Sequence, residues 1–136
     1  MEGMTISGPK QNEWIRFKPL PDISATSFVV DACLGRRNVS TDLSLLRTKE
    51  FLLGLEEFER SRNGQVILEG TYDFRLLIEP HGGTGAAWIA FHLSEKLWLE
   101  NQTFGLDVLD ADFPLIGEHV GQMVRDFKKL LRNCPS

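Results

Sequence analysis

Residues 65–93 read QVILEGTYDFRLLIEPHGGTGAAWIAFHL, two runs of alternating apolar residues separated by Pro80-His81-Gly82-Gly83-Thr84-Gly85. Alternation with a period of two sends successive side chains to opposite faces of a strand, and a glycine-rich break between two such runs is a hairpin signal. With the six residues Pro80 to Gly85 as the turn, Glu79 stands opposite Ala86, followed by Ile78 with Ala87, Leu77 with Trp88, Leu76 with Ile89, Arg75 with Ala90, Phe74 with Phe91 and Asp73 with His92. One face then carries Phe74, Leu76, Ile78, Ala87, Ile89 and Phe91, which is core against a helix. The other carries Asp73, Arg75, Leu77, Glu79, Trp88 and His92, a surface either partly exposed or covered by the amino-terminal strands. A slip of one residue would exchange the faces and bury Arg75 and Glu79, so that register is disfavoured.

Working outward, Gln65 to Gly70, Asp73 to Glu79, Ala86 to Glu95 and Thr103 to Val108 read as an antiparallel meander. Upstream, Trp14 to Leu20 alternates Ile15 and Phe17 with Arg16 and Lys18 and ends at Pro19 and Pro21. Phe28 to Leu34 and Val39 to Leu46 are further strands on either side of the basic turn Gly35-Arg36-Arg37-Asn38. Residues 1–12 are expected to be a flexible amino-terminal segment. Thr48 to Arg62 changes to a helical period, with Phe51, Leu52, Leu55 and Phe58 on one face, Thr48 as N-cap, a Glu56–Arg60 pair, and Asn63-Gly64 as the stop. A second helix is expected to start at Asp112-Phe113-Pro114, because Ile116, Val120, Met123, Val124, Phe127, Leu130 and Leu131 recur at steps of three and four. The fold class is α+β: an antiparallel β-sheet meander with two main α-helices packed on one face.

At 136 residues, 42% hydrophobic and 25% charged, the chain has the size and composition of one globular domain, 1–136, able to bury a core without a metal or a disulfide. Its two cysteines, Cys33 and Cys134, lie near opposite ends of the sequence, which suits reduced thiols and a cytoplasmic setting. A net charge of -4 argues against nucleic acid or an anionic membrane as partner and for a basic protein. No run approaches the roughly 20 apolar residues of a membrane span.

Chemistry-bearing motifs are sparse. Gly83-Thr84-Gly85 resembles half of a dinucleotide fingerprint, but Trp88 stands where its last glycine belongs and a strand follows where a helix is needed. His81, His92, His119, Cys33 and Cys134 have no zinc-ligand spacing, so neither metal nor cofactor is expected. Asp107, Asp110 and Asp112 lack the order of a calcium loop and read as a solvated loop, with Asp112 capping the last helix. There is no nucleophile elbow and no activated cysteine, so no catalytic residue is assigned. His92 is expected to bond across the strands to Asp73. The candidate binding residues are Glu56, Glu57 and Glu59, on the polar side of the first helix, and Arg75, Trp88 and His92, on the second face of the sheet.

The order of strands, the Phe51-Leu52-Leu53-Gly54-Leu55-Glu56-Glu57-Phe58 helix, the strand end Leu76-Leu77-Ile78-Glu79-Pro80, the strand Trp88 to Leu93 and the last amphipathic helix resemble the small bacterial immunity proteins of the WapI type and related uncharacterised families, over roughly Thr26 to Arg132. The resemblance implies a stoichiometric, non-catalytic binder that occludes a cognate toxin, commonly a nuclease, with acidic side chains steering toward a basic surface and Trp88 or Trp98 as anchor. Two other readings stand beside it: a small-molecule or regulatory binding domain using the second sheet face, and an undetected hydrolase.

Overall fold

The structure, a computed structural model, describes residues 3–83, 85–100 and 102–134, without the side chains of 97–99, 103, 104 and 106. Its elements run β1 (Met4–Ser7), β2 (Glu13–Pro19), β3 (Ser27–Leu34), β4 (Arg37–Leu46), α1 (Thr48–Ser61), β5 (Val66–Gly70), β6 (Arg75–His81), β7 (Ala86–Leu99), β8 (Gln102–Leu115) and α2 (Gly117–Leu131). Four strands and a helix are thus followed by four strands and a helix. All the strands form a single sheet in chain order, each antiparallel to the next, which makes this an α+β meander.

β4 and β5 share only Leu45↔Gly70 and Leu46↔Glu69, so the sheet folds along that line. Thr71 ties the break: its amide donates to the Ser44 carbonyl (2.9 Å) and its hydroxyl accepts the Ser44 amide (3.0 Å). The inner faces of the two halves then meet in one continuous core. Phe17 of β2 stacks edge-on against Phe74 before β6 (5.9 Å) and Phe127 of α2 (5.6 Å), and Phe127 meets Phe51 of α1 (5.0 Å). Both helices therefore pack on the inner side, through Phe51, Leu55 and Phe58 and through Val120, Met123, Val124, Phe127, Leu130 and Leu131. Each of these side chains follows the helical period that the sequence displays.

The central hairpin has the expected faces but not the expected pairing. The ladder continues to Pro80↔Ala87 and His81↔Ala86, two residues further than expected, so Ile78 faces Ile89 and Arg75 faces His92. Gly82 (φ 66) and Gly85 (φ 80) supply the left-handed backbone that a tighter connection needs. A shift of two residues leaves each side chain on its own face. Phe74, Leu76, Ile78, Ala87, Ile89 and Phe91 are all buried, while Arg75 is exposed and Leu77, Glu79, Trp88 and His92 are half-buried on the outward face.

Four other expectations are corrected. Within 1–12, Met4–Ser7 is a strand, held by Met4↔Phe17 and Ile6↔Ile15 with both its apolar side chains buried. The N-cap of α1 is Arg47 in a left-handed conformation (φ 52), and Thr48 is the first helical residue, buried with no hydrogen-bond partner for its hydroxyl. Arg60 pairs with Glu57 and not Glu56. Asp112-Phe113-Pro114 belongs to β8, and α2 begins after Ile116, which is itself exposed. The proline is tolerated in β8 because that strand is hydrogen bonded on one side only.

Candidate functional site

On the outer face of β5–β8 the register lines side chains up in rows across the strands. One row is Ile67, Leu77, Ala90 and Asp112, and the next is Glu69, Arg75, His92 and Asp110. A third brings Glu79 beside Trp88 and Pro114, with Gln65 Nε2 donating to Glu79 Oε2 (3.1 Å). Trp88 also lies against the His81 ring at 4.9 Å. Arg75, Trp88 and His92 thus share one face, as expected from their common parity.

An open groove of about 640 Å³ lies over the charged row, reaching Gly70 and Asp73. A second, of about 680 Å³, shares Ile67, Arg75 and Asp110 with it and runs over the free edge of β8 to Glu13 and Leu34. Glu69 is engaged by Arg47 (3.7 Å), and the Arg75 guanidinium has no ion-pair partner among the described residues. Carboxylates outnumber cations along these walls, so the surface attracts positive charge.

His92 does not bond to Asp73. Tyr72 (φ 57) and Asp73 (φ 62) form the left-handed turn between β5 and β6, which takes Asp73 out of the ladder. Its partner is Asp110, with His92 Nδ1 2.6 Å from Oδ1, while Nε2 lies 3.3 Å from Ser94 Oγ. Ser94, His92 and Asp110 so share the connectivity of a hydrolytic triad, but the accessibilities run the wrong way. Ser94 is 5% exposed and the Asp110 side chain 72% exposed, whereas a triad needs an open nucleophile and a sheltered carboxylate. Ser94 also pairs with Val108 within β7, one residue before the register shift at Glu95/Lys96, and not on a strand-to-helix turn that would present its hydroxyl.

Glu56, Glu57 and Glu59 are not part of this surface. They lie on α1, across the sheet, where Glu56 meets Lys128 (3.4 Å), Glu57 meets Arg60, and the Glu59 carbonyl accepts from Arg62. Local cations thereby engage the Glu56 and Glu57 carboxylates. Asp107, Asp110 and Asp112 are strand residues and not a solvated loop, and no metal-holding group of histidine, cysteine or carboxylate side chains occurs among the described residues. The Trp98 side chain lies outside those described. Both cysteines are free; Cys134 donates to the Ala25 carbonyl (3.1 Å), and burial pushes its thiol pKa up. Among the described residues no helix is long and apolar enough to cross a membrane.

The sequence reading did not single out Ile67, Glu69 or Glu13, or assign Asp110 to His92. Of these, Asp110 had a readable signal, the alternation Leu109-Asp110-Ala111-Asp112-Phe113-Pro114-Leu115. Comparison with protein-family models, with curated proteins and with solved structures finds no match to this chain.

Proposed function

We propose that this chain is a non-catalytic protein-binding domain that engages a basic partner through the outer face of β5–β8. The observation that carries the reading is the uncovered row Ile67-Leu77-Ala90 lying beside Glu69-Arg75-His92-Asp110. An apolar strip that the core does not use, flanked by charge, has the composition of an interface. Arg and Trp are the side chains that most often dominate binding energies, and Arg75 and Trp88 are both on this face. The surrounding carboxylates would steer a basic protein toward it. In its specific form, following the resemblance to WapI-type immunity proteins, the partner is a cognate bacterial toxin, neutralised stoichiometrically in the cytoplasm of the producing cell.

The test is affinity retention from lysate of the source cell at low and moderate salt, comparing the unaltered protein with Leu77→Asp and with the double variant Glu56→Lys/Glu57→Lys. The reading expects one basic polypeptide at equal stoichiometry, lost with Leu77→Asp and kept with the helix variant. The reverse pattern moves docking to α1, and recovery of the protein alone ends the proposal. A small-molecule role is the second reading, favoured by a groove of about 640 Å³, within the ~300–1,000 Å³ usual for ligand sites. Its openness to solvent counts against it, because ligand sites enclose most of their ligand.

A further inference from the structure

β8 runs for 14 residues and is hydrogen bonded to β7 alone. Its other edge presents main-chain N–H and C=O groups, and among the described residues no backbone hydrogen bond from a turn or loop reaches residues 109–113. Proteins commonly blunt such edges, and this one is blunted at two places. The Arg37 guanidinium takes the Val108 carbonyl and the Asp107 carboxylate (2.7 Å for the latter), and Pro114 has no N–H to offer. Between these stops Leu109 to Phe113 have no main-chain partner beyond β7 among the described residues.

That open stretch forms a wall of the groove of about 680 Å³. Asp110, Ala111 and Asp112 line it consecutively although neighbouring strand residues point to opposite faces, as happens where a groove meets a strand edge-on. The facing wall holds Leu34 and Glu13. Glu13 is only 9% exposed, accepts the Lys10 amide at 3.2 Å, and has no ion-pair partner among the described residues. Its carboxylate borders the groove without a counter-charge, so a cation entering there would find a partner.

We propose that an extended segment of a basic polypeptide adds to this edge as a further strand, its main chain pairing with Leu109 to Phe113. Alternate Lys or Arg side chains of the segment face Asp110 and Asp112, which lie about 7 Å apart on one side of β8. The residues between them face Ala111 and Leu34, and Glu13 receives a further cation. Main-chain bonds supply affinity and the alternating charges select the partner. A second copy of this chain does not fit, because two antiparallel β8 edges would set Asp110 and Asp112 against their own counterparts. The inference rests on the protein-binding reading and specifies its mode of docking.

The probe is an alternating Lys-Val peptide of roughly ten residues, long enough to cover one strand, added to the full chain. It is compared with its Glu-Val counterpart and with two analogues N-methylated on every second amide, one for each peptide edge. The readouts are backbone amide shifts and hydrogen exchange. Strand addition expects protection confined to residues 109–113, no binding of the Glu-Val peptide, loss of binding for one of the methylated analogues, and affinity about tenfold weaker with Asp112→Lys. Equal binding of the parent and both methylated peptides, shifts that map to α1 or α2, or no protection at 109–113 overturns it. If that happens while Leu77→Asp still abolishes partner retention, strand addition alone fails. If Leu77→Asp has no effect on retention, the underlying reading fails independently of β8.

Discussion

In β1–β4 the outer rows Thr5-Arg16-Asp31-Ser40 and Ser7-Trp14-Cys33-Asn38 are polar apart from Trp14 and Cys33, with Arg16 4.5 Å over the Trp14 ring, and the row Lys18-Val29-Asp42 holds a single aliphatic residue. In β5–β8 the corresponding rows hold Ile67, Leu77 and Ala90 beside the Glu69-Arg75-His92-Asp110 line, with grooves above them. The inner faces of the two halves do the same thing, alternating apolar residues into one shared core. Apolar side chains on the first half's outer strands stand singly, Val29 between Lys18 and Asp42 and Leu46 at the end of β4, so a contiguous apolar row is not required by this architecture. Exposed Ile67 and half-buried Leu77, side by side on the second half, are the aliphatic pair that the proposed partner would cover.

The aromatic contact between Phe17 and Phe74 joins the two halves. Phe17→Ala and Phe74→Ala should each cost about 3–5 kcal/mol in chemical denaturation, since both side chains are fully enclosed. The rings touch, so the double variant should depart from additivity by about 0.5–1.5 kcal/mol. Strict additivity, or two separate unfolding transitions, would mean that the halves are independent units.

The next effect separates the two exteriors. Trp88→Ala should weaken partner binding by about 2 kcal/mol while the circular dichroism spectrum and melting curve stay close to those of the parent. Trp14→Ala, at the equivalent kind of position on the first half, should leave binding unchanged. Equal losses would spread the interface over both exteriors and remove the distinction drawn above.

How far this was legible in the sequence differs by element. The inner and outer sets of β6 and β7 follow from a period of two, which a two-residue shift at the turn does not disturb, so Arg75, Trp88 and His92 fall on one face from the sequence alone. β8 is also written in alternation, but Asp112-Phe113-Pro114 equally spells a helix start, and only the one-sided pairing of β8 decides between them. Two apolar residues, Met4 and Ile6, are too few to declare a strand; β1 exists because β2 pairs with it. Glu13 facing the edge of β8 was not readable at all, because the fold at β4–β5 brings them together and no local pattern encodes that closure.

The two strand-to-helix junctions differ in a way that a smaller effect can measure. β4 passes into α1 through left-handed Arg47, which leaves the Thr48 hydroxyl buried and unbonded, whereas β8 passes into α2 through extended Ile116. Thr48→Val keeps the shape and removes the stranded oxygen, and should raise stability by about 1 kcal/mol. A loss of similar size would show that the hydroxyl has a partner in solution.

The smallest expected effect concerns the end of the second half, which Cys134 fastens to the β2–β3 loop through Ala25. Burial raises this thiol's pKa, so the folded state holds the proton more tightly than the unfolded chain does. The resulting stabilisation is present below the ordinary thiol pKa and is lost as pH rises through the raised value. As pH rises above the ordinary thiol value of about 8.5, the melting temperature of the parent should therefore fall more than that of Cys134→Ser, whose hydroxyl can still donate to Ala25 but does not titrate there. Every other group is common to the two proteins and cancels in the difference. Parallel curves would mean that Cys134 is as open to water as in the unfolded chain, and that the carboxyl-terminal end of α2 is not held against the first half.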